Sequence, residues 1–129
     1  MNTISTYKED YYRRLSIQKD LRELDYWILT LEDFNDELDD LNIIEKQLIA
    51  NGSISNAIRS LRRKNVLNMA ELCKYDRELR NEYEDGYTDY DQTRLKVHER
   101  KREQYIRLTK EFGAFRKHIY KFLMRYQLK

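Results

Sequence analysis

Proline is missing from all 129 residues, and glycine occurs only three times. Proline breaks helix interiors and glycine weakens them, so little in this chain interrupts an α-helix. The single cysteine, Cys73, rules out an intrachain disulfide. One thiol and two distant histidines also cannot build a zinc site, and a reducing, cytoplasmic setting is the simpler expectation. No apolar run approaches the roughly 18 residues that a membrane span needs, so no membrane association is expected. The glycines stand alone, which leaves no phosphate-cradling loop. Neither a sequence repeat nor a low-complexity tract occurs.

What is abundant is charge, at 37% of residues, and tyrosine, eleven in all. Such a mixture of helix formers predicts an all-α fold, and the length suits one domain over residues 1–129. Tyrosine adds an apolar ring whose hydroxyl must still reach water or a partner, so partly exposed seams are expected.

The strongest pattern lies in an arm over about 88–127. Tyr90, Val97, Tyr105, Leu108, Phe112, Phe115, Ile119, Phe122 and Tyr126 follow a three-and-four spacing, with Arg94 and Lys101 filling two gaps. That places one stripe on one side of a helix, roughly 58 Å long, which cannot bury its stripe alone. Thr88 or Asp89 is placed to cap it. Gly113 inside it costs about 1 kcal/mol relative to alanine, and so predicts a close approach by a neighbour or a local bend.

The first arm, about 6–50, carries Tyr7, Tyr11, Leu15, Leu21, Leu24, Ile28, Leu31, Phe34, Leu38, Leu41, Ile44 and Leu48. Their direction around the helix drifts faster than a left-handed supercoil absorbs, so this arm is expected to be bent or broken. The favoured place is Asp40 to Asn42, because Asn42 and Glu45 have the spacing of a capping box. Asn51-Gly52-Ser53 is the clearest stop, with Ser53 or Ser55 capping a second arm over about 55–84. The second seam is Ile54, Ile58, Leu61, Asn65, Leu72, Tyr75, Leu79 and Tyr83, widened by Val66, Leu67, Met69 and Cys73. Asn65 is either a register-fixing polar residue in that seam or a solvent-facing one. Three long arms with such seams predict an elongated three-helix bundle with coiled-coil-like packing.

Charge divides the chain. Residues 1–51 hold six basic and twelve acidic side chains, residues 52–87 seven and six, and residues 88–129 twelve and five. Packing of the acidic arm on the basic arm is the first reading of this asymmetry, and separate binding surfaces the second. Asp33, Asp36, Glu37 and Asp40 share one helical face, which calls for a basic partner and makes them candidate protein-binding residues. Phe122 and Tyr126 join them, because the last seam is expected to outrun the shorter second helix and leave an apolar end for a second copy.

Two other chemistries are weighed. Nucleic acid binding is the alternative function, through Arg59, Arg62, Arg63 and Lys64 in a helix-turn-helix-like segment 44–64, or through Arg116, Lys117 and Lys121 on the basic face. Gln47, Leu48, Asn51 and Ser53 fit that motif poorly. Catalysis has less support, since His98 and His118 lie twenty residues apart on one helix, roughly 30 Å, and neither belongs to a recognised motif. An EF-hand loop centred on Gly86 fails, with Tyr83 and Gln92 at ligand positions that need an oxygen and a glutamate. The sequence therefore predicts a non-enzymatic helical protein without a cofactor. It acts as an adaptor, regulator or inhibitor that docks a helix face onto a partner protein and self-associates.

Overall fold

The computed structural model describes residues 3–86 and 89–125, with side chains from residue 6 onward. Three helices account for nearly all of it: α1 (Thr3–Ile44), α2 (Gly52–Asp85) and α3 (Gln92–Met124), with a π-helical turn at Glu45–Ile49 following α1. No strand occurs among the described residues. Arg13 reaches Glu82, Asn65 reaches Leu31 and Arg62 reaches Asp39, so α2 runs antiparallel to α1 along their lengths.

All three seams are strict heptads. Along α1 the inward positions are Arg13, Ile17, Asp20, Leu24, Trp27, Leu31, Phe34, Leu38 and Leu41, ending at Glu45 in the π-turn. Spacing of four and three throughout is the signature of a left-handed coiled coil, so the drift expected in the first arm is absent. It arises from counting Leu21 and Ile28, which flank the seam and pack against it from the side. Asn42 lies inside α1 and the bend does not fall at Asp40 to Asn42. The interruption comes at Glu45–Ile49, where Ile44 makes no side-chain cap.

Both corners are built by local chemistry. At the first, Ala50 takes the left-handed conformation (φ 50°) and its N–H donates to the Glu45 carbonyl. Asn51 is the cap, its Oδ1 accepting from Ser53 N at 2.9 Å and Ile54 N at 3.3 Å, so α2 starts at Gly52 and neither serine caps it. At the second, Gly86 closes α2 with φ 71°, a conformation that glycine adopts without strain. Asp91 caps α3 by accepting from Arg94 N at 3.1 Å, in place of the expected Asp89 or Thr88; Thr88 lies outside the described residues.

The core falls into two apolar clusters. One surrounds Leu24, Trp27, Leu31, Leu72, Tyr75 and Leu79; the other surrounds Leu38, Leu41, Ile54, Ile58, Phe112, Phe115 and Ile119. Asn65 lies between them, fully buried, with Nδ2 donating to the Leu31 carbonyl at 2.8 Å. It is therefore a buried seam residue and not a solvent-facing one, and the bond satisfies one donor of its amide. Rings fill the wider gap between α1 and α3: Trp27 sits between His98 (5.1 Å) and Tyr105 (5.3 Å), and Phe34 stacks on Phe112 at 4.2 Å.

Some expected features do not form. Val66, Leu67 and Cys73 face outward and do not widen the second seam. A methyl group on Gly113 would meet nothing within 4 Å, so no neighbour approaches closely there, and α3 runs on through it. At the end of α3, Phe122 and Leu123 are half-buried, packing with Ile44 and Ile49 against the second cluster, while Met124 is exposed.

Candidate functional site

Helix α1 sends two kinds of group to α2 and α3: rim carboxylates from its acidic half, and buried polar side chains from its first half. At the rim, Arg116 clamps Glu37 through Nε and Nη2, both at 2.7 Å, and stacks over the Phe112 ring at 5.1 Å. Arg62 bonds Asp39 at 2.6 Å, and Lys64 pairs with Glu111. Glu37 of the expected protein-binding face, and Arg62, Lys64 and Arg116 of the nucleic-acid set, are thus engaged in ion pairs within the chain. Asp33, Asp36, Asp40, Arg59, Arg63, Lys117 and Lys121 remain exposed with no ion-pair partner among the described residues. Packing of the acidic arm on the basic arm accounts for part of the charge division, and an unpaired remainder faces solvent.

Residues 44–64 form the corner of an antiparallel hairpin. The first element is a π-turn, and Ile58 and Leu61 are buried against α1 and α3, so the segment does not stand out as a helix-turn-helix. Phe122 is half-buried in the second cluster, and Tyr126 lies outside the described residues.

The buried polar side chains gather near the second corner. His98 is only 3% exposed and occupies a seam position of α3. Its Nε2 lies 2.6 Å from Glu23 Oε1 and 3.4 Å from Asp20 Oδ1, and its Nδ1 lies 2.7 Å from the Tyr75 hydroxyl. A carboxylate can only accept, so Nε2 carries the proton to Glu23, and in the neutral ring Nδ1 accepts from Tyr75. Arg102 holds Glu23 from the other side, with Nη2 at 2.7 Å and Nε at 3.2 Å. Tyr90 donates to Asp20, and Arg94 Nη2 lies 2.8 Å from Glu82. Below this group Arg13 donates to the Glu82 carbonyl at 2.7 Å, a cation set on the C-terminal end of α2.

Burial pushes the Tyr75 and Tyr90 hydroxyls above their ordinary value, helped by Asp20 in both cases, so both stay protonated donors at neutral pH. Burial also works against the Glu23 carboxylate, but hydrogen bonds from Arg102 and His98 outweigh it and hold Glu23 below the ordinary 4.5. A lowered carboxylate contributes stability above its ordinary value and loses it as pH falls through the folded-state value. Glu23→Gln is therefore expected to melt below the parent chain at neutral pH, with the gap closing in acid below 4.5. Comparing the two chains isolates Glu23 from Glu82, which burial shifts the opposite way.

Asp20, Glu23 and His98 place ligand-type atoms within 4.8 Å of one another. Hydrogen bonds from Tyr90, Arg102 and Tyr75 tie these three residues into a layer that joins all three helices. Of these residues, Tyr75, Tyr90 and Arg94 stand in the seams read from the sequence. Arg13, Asp20 and His98 could have been found from the strict heptads of α1 and α3, whereas Glu23 and Arg102 flank those seams and carry no such signal. Among the described residues no helix is long and apolar enough to cross a membrane. No protein-family model, no curated protein and no solved structure matches this chain.

Proposed function

We propose that this chain is a non-enzymatic, cytoplasmic interaction protein that acts by docking the outer face of α1 onto a protein partner. One observation carries this reading. The core seam of α1 is filled, yet its opposite face exposes large apolar side chains, Tyr26 at 65% and Leu29 at 56%, beside the unpaired carboxylates Asp33, Asp36 and Asp40. Apolar anchors ringed by unpaired charge are the usual makings of a protein interface. The titratable groups near the second corner bond to one another, which fits a structural layer and gives no support to catalysis.

A photo-crosslinking amino acid at position 29, with position 103 on α3 as control, tests the proposal in extract of the native host. Protein adducts at 29 well above those at 103 are expected. Their absence would count against α1 as the docking face.

The nucleic-acid reading keeps one observation in its favour, the exposed and unpaired Arg59, Arg63, Lys117 and Lys121. A gel shift that weakens steeply with salt and disappears on replacing these four by glutamine would support it instead.

A further inference from the structure

We infer that the outer face of α1 binds the same face of a second copy of this chain, antiparallel, about a twofold axis level with residues 27 and 28. The inference rests on the docking reading above and names its partner. Opposite the core seam, α1 carries a second strict heptad stripe. Its apolar members are Tyr12, Leu15, Tyr26, Leu29 and Ile43, all exposed. Between them stand Lys19 and Arg22 on one side of the centre, and Asp33, Asp36 and Asp40 on the other, all exposed and without an ion-pair partner among the described residues.

The order of these residues is self-complementary. With Tyr26 of one copy opposite Leu29 of the other, the same register sets Arg22 opposite Asp33, Lys19 opposite Asp36, and Tyr12 opposite Ile43, and leaves Leu15 opposite Asp40 as the one unmatched pair. Each pair joins one row of the stripe to the other row across the axis, the layering that antiparallel coiled coils use. Both ends of the dimer repeat the same pairs, and the overlap from residue 12 to residue 43 is about 46 Å of helix. A parallel, in-register pairing would instead set Asp33 on Asp33 and Arg22 on Arg22, so charge selects the antiparallel form. Along one flank Asp25 comes near Glu32 of the other copy, and Arg80 of its own chain, 3.7 Å away, offsets that charge. Salt bridges in place of a continuous apolar seam make this a reversible dimer with micromolar affinity and marked salt dependence.

Charge reversal tests the register. One variant carries Asp33→Lys and Asp36→Lys, the other Lys19→Asp and Arg22→Asp; all four positions are exposed, and far-UV circular dichroism checks that both variants fold. The parent chain is expected to sediment as a dimer of its 16.0 kDa chain at high concentration. Each variant alone should weaken dimerisation more than roughly thirtyfold, and an equimolar mixture of the two should restore it as a heterodimer. Geometry is read separately in a Cys73→Ser background. Arg22→Cys mixed with Asp33→Cys should form a mixed disulfide, whereas each alone should not, because like positions lie about 16 Å apart along the axis.

A parent chain that stays monomeric, variants that still dimerise, a mixture that does not recover, or a cysteine at position 22 that crosslinks to itself would each overturn the inference. The position 29 probe separates this failure from failure of the docking reading. Adducts at twice the chain mass support the second copy. Adducts only to a different protein sink the second copy and leave the docking face standing. No adducts at all sink both.

Discussion

Replacing Phe112 by alanine should lower stability by about 3–5 kcal/mol, the cost of lost burial plus the cavity left behind. Phe112 is 1% exposed and lies in the second apolar cluster, stacked on Phe34 from α1 and covered by the Arg116 guanidinium. It therefore joins α3 to α1 where few backbone contacts do so. Two neighbours on α3 set the scale. Lys117 is exposed and unpaired, so Lys117→Ala should stay within about 0.5 kcal/mol. Arg116 holds Glu37 through two bonds with both side chains about one third exposed, and its loss should cost up to about 1 kcal/mol after solvent screening. The sequence places both residues on one solvated face; the packing separates them. Denaturant melts of the three variants check this ranking. Unchanged melting for Phe112→Ala and Phe115→Ala together would remove the seam that holds α3 to the bundle.

Trp27→Ala should cost a similar amount, about 3–5 kcal/mol, although Trp27 is absent from the seam read from the sequence. The ring is 3% exposed and fills the space between His98 and Tyr105 on α3. Removing it opens a cavity beside the His98 layer and lets water reach bonds now made out of solvent. Tyr26, one residue earlier, is 65% exposed, and Tyr26→Ala should change stability by no more than about 0.5 kcal/mol at concentrations low enough for the single chain. Adjacent aromatics with opposite outcomes are a direct reading of helix phase. Equal costs for the two would mean that the heptad of α1 is assigned one residue out of place. A large gap, combined with loss of self-association in Tyr26→Ala, would separate the inner seam from the outer stripe in a single experiment.

How far the residues alone lead can be judged helix by helix. The all-α class, three arms and the places of both corners follow from local causes: scarce breakers, three-and-four spacing, and residues such as Asn51 and Gly86 that end or start helices through their own backbone and side chain. The seam of α2 is legible down to Asn65, because its members are nearly all apolar. The phase of α1 is not. Its inward positions include Arg13, Asp20 and Glu45, which read as surface residues, while Tyr7, Tyr11 and Leu15 stand in the seam read from the sequence and are exposed. Whether a charged side chain can be buried depends on what waits for it. Arg13 donates to the Glu82 carbonyl, Asp20 accepts from the Tyr90 hydroxyl and His98 donates to Glu23, all about seventy residues away in the chain. No spacing rule within one helix carries that information. The same holds for the candidate surfaces, since composition shows that an acidic arm and a basic arm exist, but only packing decides that Glu37 is spent on Arg116 while Asp33, Asp36 and Asp40 stay exposed. Helix formation is decided by neighbours in sequence, and burial of charge by neighbours in space.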